Sequence, residues 1–244
     1  NYQVPAILFA LAGLNAMFHF GDPSLALRGA IYMIIAMIAL IGGRIIPPFT
    51  QNALRVTSGK NLPCTTPRWL DIVAVPAVVL VVATELAAPQ SIASGVAALA
   101  AAIVLAARMA GWRTLATGRL PLVWILHVGY AWIPIGFLLK GCADLHAGIA
   151  PTAALHALTA GEIGVMILAV GSRVALGHSG RPLEPAPLTV VAYILVIAGA
   201  ALRVFGAGFE TNVAAGVAWS LGYALFAFVY WPILTRPRID GVPG

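Results

Sequence analysis

Charged residues are scarce in this sequence. The chain has 14 Lys and Arg and 8 Asp and Glu in 244 residues, so that only 9% of its residues are charged, against about 25% in soluble domains. Hydrophobic residues make up 61% of the chain, and the mean hydropathy is +0.95. This composition excludes a soluble enzyme, a disordered tail and a nucleic-acid-binding module. It predicts a polytopic membrane protein in a lipid bilayer.

Cysteine is nearly absent as well. Cys64 and Cys142 are the two cysteines, and they cannot form a disulfide framework. The sequence contains no CxxC or CxxCH, which excludes a zinc ribbon and a c-type haem attachment site. No basic segment precedes the first apolar run, so that run is not typical of a signal peptide. The chain opens at Asn1 without an initiator Met, which leaves open whether residues precede it.

Long apolar runs fill the rest of the chain. A spanning helix needs about 20 mostly apolar residues, and the alternating pattern of a membrane β-barrel does not appear. The sequence therefore predicts an all-α transmembrane bundle, a single domain over residues 1–244. Pro47-Pro48 is expected to end the second span, and Asn212 to cap the last one. The eight predicted spans cover about residues 4–20, 25–46, 69–87, 91–110, 120–139, 148–176, 188–208 and 213–234.

The basic residues predict an orientation. All but Arg28, Lys140 and Arg203 fall in segments on one side of the predicted bundle. Cytoplasmic loops carry an excess of Lys and Arg, so the richer side, which includes Lys60, is expected to be cytoplasmic. With an even number of spans, both termini are then cytoplasmic.

Histidines are the main candidates for chemistry, because neutral imidazole ligates haem iron and copper. At 1.5 Å per residue, two pairs can share a depth in the membrane. His19 and His156 would lie in one leaflet, and His127 and His178 in the other. His146 stands beside Asp144 in a short loop, where solvation is the simpler interpretation.

Each candidate also has a plainer interpretation. A membrane histidine more often bonds a neighbouring helix than a metal. Met17 and Met166 could complete a copper site but are typical of core packing. Glu162 stands near the middle of the sixth span, where an ionised carboxylate is expensive. We expect it to be protonated, paired or facing a wet cavity.

Three segments carry a resemblance to a known family. They are residues 42–54 (GGRIIPPFTQNAL), 126–134 (LHVGYAWIP) and the long ordered stretch 155–183, which runs from LHALTAG to SRVALGHSGRPL. Together with Asn15 and residues 18–20 (FHF), they resemble the NnrS family of bacterial membrane proteins. The positions that match its motifs are His19, Arg44, His127, His156, Arg173, His178 and Arg181.

The resemblance implies an inner-membrane protein that contains haem and copper and is linked to denitrification and nitric-oxide or nitrosative stress. On this interpretation His19, His127, His156 and His178 are the candidate ligands of haem b or copper, and nitric oxide is a candidate ligand of the haem iron. Family members usually have more spans and a His-rich amino-terminal motif, which this sequence lacks. The alternative is therefore a non-catalytic subunit or scaffold of a larger membrane complex that has lost the cofactor. A transporter ranks last, because no inverted repeat is evident.

Overall fold

The structure is a computed structural model that describes residues 2–59 and 61–241. Lys60, one of the basic residues of the predicted cytoplasmic side, lies outside them. The described chain is helical and contains no β-strand. Its α-helices are α1 (Gln3–Phe20), α2 (Pro23–Ser58), α3 (Arg68–Ala87), α4 (Ile92–Met109), α5 (Pro121–Asp144), α6 (Pro151–His156), α7 (Gly164–His178), α8 (Pro187–Phe205) and α9 (Phe209–Leu234).

Eight helical stretches in the described residues are long and apolar enough to cross a membrane. The prediction of an all-α bundle with eight spans is therefore confirmed. The sixth span, Pro151–His178, consists of α6, a π-helical segment (Ala157–Ile163) and α7 in continuous succession. A short 3₁₀ turn, Thr114–Thr117, lies between α4 and α5.

Helix α5 lies at the centre of the bundle. It packs against α2, α4 and all three parts of the sixth span, and more than half of its residues are buried. Helices α1 and α9 lie at the periphery, where α1 packs mainly on α2 and α9 mainly on α8. Large side chains of these outer helices, such as Phe9 and Phe228, are exposed, as expected for surfaces that contact lipid.

Two local predictions were wrong. Pro47-Pro48 does not end the second span, because α2 continues through both prolines to Ser58 and ends at Gly59, which adopts a left-handed φ of 66°. A proline removes the hydrogen bond to the carbonyl one turn earlier and its ring crowds that carbonyl. The packing of α2 on its neighbours outweighs this cost. Asn212 does not cap α9, whose N-cap is Gly208. The Asn212 side chain instead accepts a hydrogen bond from Arg203.

Candidate functional site

A cavity of about 490 Å³ opens between the π-helical segment, α7, α8 and α9. This volume falls within the range of about 300–1,000 Å³ that is typical of small-molecule sites. Its walls are mostly apolar, with a few polar groups at one end. The lining side chains include His156, Ile163, Arg203, Trp219 and Tyr223.

The backbone of the sixth span shapes this cavity. A π-helical segment contains an extra residue in each turn, and such segments are frequent at functional sites. Two aromatic side chains of α9 bind carbonyl groups of this span: Trp219 Nε1 donates to Ala160 O at 3.3 Å and Tyr223 OH donates to Gly164 O at 2.8 Å. These bonds hold the cavity wall formed by α9 against the sixth span.

His156 lies at the end of α6, directly before the π-helical segment, and lines the cavity. It is half-buried, and its ring makes no hydrogen bond within the part of the chain that the structure describes. Arg203 lines the same cavity from α8 and interacts electrostatically with His156. The Arg203 guanidinium also donates to Asn212 Oδ1 at 2.6 Å. An imidazole available for bonding and a cation thus stand at one end of an apolar cavity.

His127 has a different environment. It is buried on α5, and both of its ring nitrogens lie within hydrogen-bond distance of threonine hydroxyls: Nε2 is 2.8 Å from Thr50 Oγ1 and Nδ1 is 2.9 Å from Thr114 Oγ1. Thr50 donates its own proton to Ile46 O, so Nε2 must donate to Thr50 and Nδ1 must accept from Thr114. Both ring nitrogens of His127 are therefore hydrogen-bonded.

The other predicted candidates lie apart from this cavity. His178 is exposed at the end of α7 and lines a smaller cavity of about 260 Å³ together with Phe49 and Arg173. His19 is exposed at the end of α1, where its ring contacts those of Phe18 and Phe20. The structure therefore brings neither His127 and His178 nor His19 and His156 into one site.

Sequence reasoning missed a buried ionic cluster near the ends of α3 and α5. Lys140 Nζ lies 2.8 Å from both Glu85 Oε2 and Asp144 Oδ2, and all three side chains are at most 4% exposed. Arg28 lies 3.4 Å from Glu85, and Ser94 donates to the same carboxylate. The charge distribution of the sequence places Arg28 and Lys140 on the less basic side of the bundle but does not predict that these charges are buried together. The spacing of Lys140 and Asp144, one helical turn apart, was a signal that could have found part of the cluster.

A second buried cation was also missed. Arg108 is 3% exposed, although the charge distribution of the sequence predicts only that it lies on the basic side of the bundle. Its guanidinium donates to Asp71 Oδ1 at 2.8 Å, to Ala39 O at 2.6 Å and to the Tyr130 hydroxyl at 3.2 Å. It packs directly on Gly43, where a side chain would leave it no room. The bonds satisfy a cation that would otherwise be costly at this depth.

The described residues contain no group of three His, Cys, Asp or Glu side chains that could hold a metal ion. Met166, a candidate copper ligand, is buried against α5 at Gly129. Met17 is half-buried on the peripheral helix α1. The donor set therefore does not fit a copper centre. The set of His156, Arg203 and apolar walls fits a haem held by one imidazole, because haem needs an axial ligand, an apolar pocket and cations for its propionates.

The fold and the cavity together define a multi-pass helical membrane protein with a candidate ligand site between its helices. A family model described as NnrS protein matches residues 1–238. The chain belongs to the NnrS family, as the sequence motifs predicted. No curated protein and no solved structure gave a match.

Proposed function

We propose that this chain is a haem-binding protein of the bacterial inner membrane that takes part in nitric-oxide metabolism. In this proposal His156 ligates haem b in the cavity between the π-helical segment, α8 and α9. The observation that carries the proposal is that His156 lines a cavity of about 490 Å³ with its ring free of hydrogen bonds to the described residues. Membership of the NnrS family supports the link to haem and nitric oxide.

Each neighbouring side chain has a role in this proposal. Arg203 would bind a propionate, because a guanidinium pairs with a carboxylate through charge-assisted hydrogen bonds. Ile163 and Trp219 would form the apolar walls that exclude water. Haem held by His156 would supply an iron that can bind nitric oxide. His127 is the weaker candidate, because ligation would break its bond to one of two threonine hydroxyls.

Replacement of the ligand tests the proposal. We expect the purified protein to show a Soret band. His156→Ala should lower haem content at least about tenfold, because it removes the imidazole that would hold the iron. Arg203→Gln should lower haem content less. Haem and protein are measured on the same detergent-purified samples, from oxidised and dithionite-reduced spectra. Nitric oxide added to the reduced wild type should shift the Soret band.

His146→Ala is the matched control, because His146 is exposed in the loop after α5 and its replacement should leave haem content unchanged. If His156→Ala retained haem and His178→Ala lost it, the site would lie in the smaller cavity instead. A wild-type protein that elutes as a folded species without haem would contradict the proposal. That result would favour the alternative of a non-catalytic subunit, which copurifying membrane subunits would identify.

A further inference from the structure

The smaller cavity has a polar end that the proposed haem function does not use. It has a volume of about 260 Å³ and lies between α2, α5, α7 and the loop after α7, with Arg173 and His178 in its lining. The Arg173 guanidinium carbon lies 4.1 Å from the centroid of the Phe49 ring. A guanidinium that stacks on an aromatic ring keeps its planar set of N–H donors for an acceptor such as a phosphate.

Arg173 has no acidic partner in the described chain. It is half-buried and forms no ion pair or hydrogen bond with the residues that the structure describes. The His178 side chain makes no hydrogen bond to these residues either, and an imidazole can donate an N–H bond in both of its charge states. The two carboxylates nearest to Arg173 in sequence are Glu184, which is exposed, and Glu162, which is buried, and neither lines the cavity. The cavity is therefore complementary to an anionic group.

An apolar groove continues from the smaller cavity towards the middle of the membrane. It is a neighbouring cavity of about 410 Å³ between α2 and the sixth span, and Ile45 and Val170 line both cavities. The groove exists because α2 and α7 each pack on α5 and make at most slight contact with each other. In its walls Ile41 is 43% exposed and Ile167 is 54% exposed. The groove is therefore open on the lipid-facing side of the bundle.

The length of the groove matches one leaflet of a bilayer. Its wall runs along the sixth span from Ile163, near the middle of that span, to Arg173 at the polar end. This stretch covers about 15 Å at 1.5 Å per residue, which is half of a hydrocarbon thickness of about 30 Å. Arg173 and His178 then lie near the level of the lipid headgroups, on the side where the sequence concentrates its basic residues.

We propose that the groove and the smaller cavity bind one anionic phospholipid of the leaflet on the basic side. Its phosphate pairs with Arg173 and accepts a hydrogen bond from His178, and one acyl chain lies between α2 and the sixth span. Basic pockets between transmembrane helices recognise anionic headgroups in this way. An anionic lipid fits better than a zwitterionic one, because no described carboxylate lines either cavity to hold an ammonium headgroup. This inference does not rest on haem.

Native mass spectrometry of the detergent-purified protein measures the proposed binding. We expect the wild type to bind one phosphatidylglycerol more tightly than a phosphatidylcholine with the same acyl chains. Arg173→Gln should weaken phosphatidylglycerol binding at least about tenfold, because charge-assisted hydrogen bonds to the phosphate are lost. His178→Ala, at an exposed position, should weaken it severalfold. Arg55→Gln is the matched control, because Arg55 is exposed on α2 and lines neither cavity, and it should leave the affinity unchanged.

Replacement of Val170 tests the groove separately, because this residue lines both cavities. Val170→Phe should weaken binding of a long-chain phosphatidylglycerol severalfold and leave a dihexanoyl analogue unaffected, since only the long chain gains apolar contact in the groove. An equal effect on both lipids would show that no acyl chain occupies the groove. Inorganic phosphate should not displace the lipid, because it has no acyl chain. Thermal unfolding of each variant shows whether it is folded.

Several results would overturn the proposal. They are equal affinity for the two headgroups, equal phosphatidylglycerol affinity in the wild type and Arg173→Gln, an equal effect of Arg55→Gln, and displacement of the lipid by inorganic phosphate at the same concentration. Loss of haem from His178→Ala would also overturn it, because haem would then occupy the smaller cavity. Haem is measured on the same samples, so a protein that binds the lipid at Arg173 and contains no haem would contradict the proposed function alone.

Discussion

Single buried charges decide much of the energetics of this bundle. Lys140 is paired with the carboxylates of Glu85 and Asp144, and Arg28 places a second positive charge next to Glu85. Burying a salt bridge contributes little net stability, but removing one partner leaves a buried charge without compensation. The cluster therefore adds little net stability to the fold. Each of its charges, however, needs its partners in order to remain buried.

Replacement of Lys140 tests this dependence. We expect Lys140→Met to destabilise the folded protein by about 3–5 kcal/mol, because Glu85 and Asp144 then lie buried without their shared cation. The measurement is thermal unfolding of the detergent-solubilised protein followed by circular dichroism. Lys140→Met combined with Glu85→Gln should recover part of the loss. Arg119→Met is the exposed control, and an equal loss there would contradict the explanation.

At the scale of the helices, close contacts between α5 and the sixth span hold the centre of the bundle together. Glycines at these contacts let the helices approach, as small residues do in membrane bundles. Gly161 lies against the Trp132 indole, where a Cβ would be 2.6 Å from a ring atom. The indole is rigid, and the contact cannot adapt as a flexible side chain would.

Gly161→Ala should therefore destabilise the protein by about 1–3 kcal/mol, the usual cost of overpacking. Gly13→Ala on α1 is the matched control, because nothing lies within 4 Å of a Cβ at that position. It should be neutral or slightly stabilising, since alanine favours a helix over glycine. Thermal unfolding of both variants under identical detergent conditions gives the comparison. Equal melting temperatures would show that Trp132 yields to the added methyl group.

The helices themselves could be predicted, but their internal details could not. Apolar runs determine where spans form, because any polar break in lipid is costly, so all eight spans followed from the sequence. The π-helical segment left no such signal, since residues 157–163 contain no proline and continue the apolar span apart from Thr159 and Glu162. The continuation of α2 through Pro47 was not predicted, because neighbouring helices decide whether a proline ends a helix.

The candidate site was predictable only in part. The sequence indicates His156 as a candidate because it places an imidazole in an apolar span. Which residues lie next to His156 depends on which helices pack together, and the sequence does not predict that. The structure places Arg203 beside it, 47 positions later in the chain. The burial of Arg108 and Lys140 also depends on partners distant in sequence, Asp71 and Glu85. Contacts of this kind arise from packing, which a single sequence does not contain.

At the scale of the whole molecule, orientation in the membrane is the main prediction that stays untested. The positive-inside rule predicts that the loop after α4 is cytoplasmic and the loop after α5 is periplasmic. Leu115 in the first loop is 99% exposed, and Ala147 in the second is exposed as well. Both positions suit chemical labelling.

Labelling with a membrane-impermeant maleimide would determine the orientation. In a variant with Cys64→Ser and Cys142→Ala, we expect Ala147→Cys to react in intact cells whose outer membrane is permeabilised. Leu115→Cys should react only after the inner membrane is opened, because the positive-inside rule predicts that its loop is cytoplasmic. The background variant without cysteine is the control for unspecific reaction. The reverse pattern would show that both termini face the periplasm.

The length of α2 has a practical consequence. Its 36 residues span about 54 Å at 1.5 Å per residue, against a hydrocarbon thickness of about 30 Å. A helix of this length exceeds the hydrocarbon layer, and we expect its polar last turns before Gly59 to project from it. A soluble helical protein joined in register at Ser58 would continue this helix. For a 25.3 kDa protein otherwise hidden in a detergent micelle, such a fusion supplies a fiducial for particle alignment in electron cryomicroscopy.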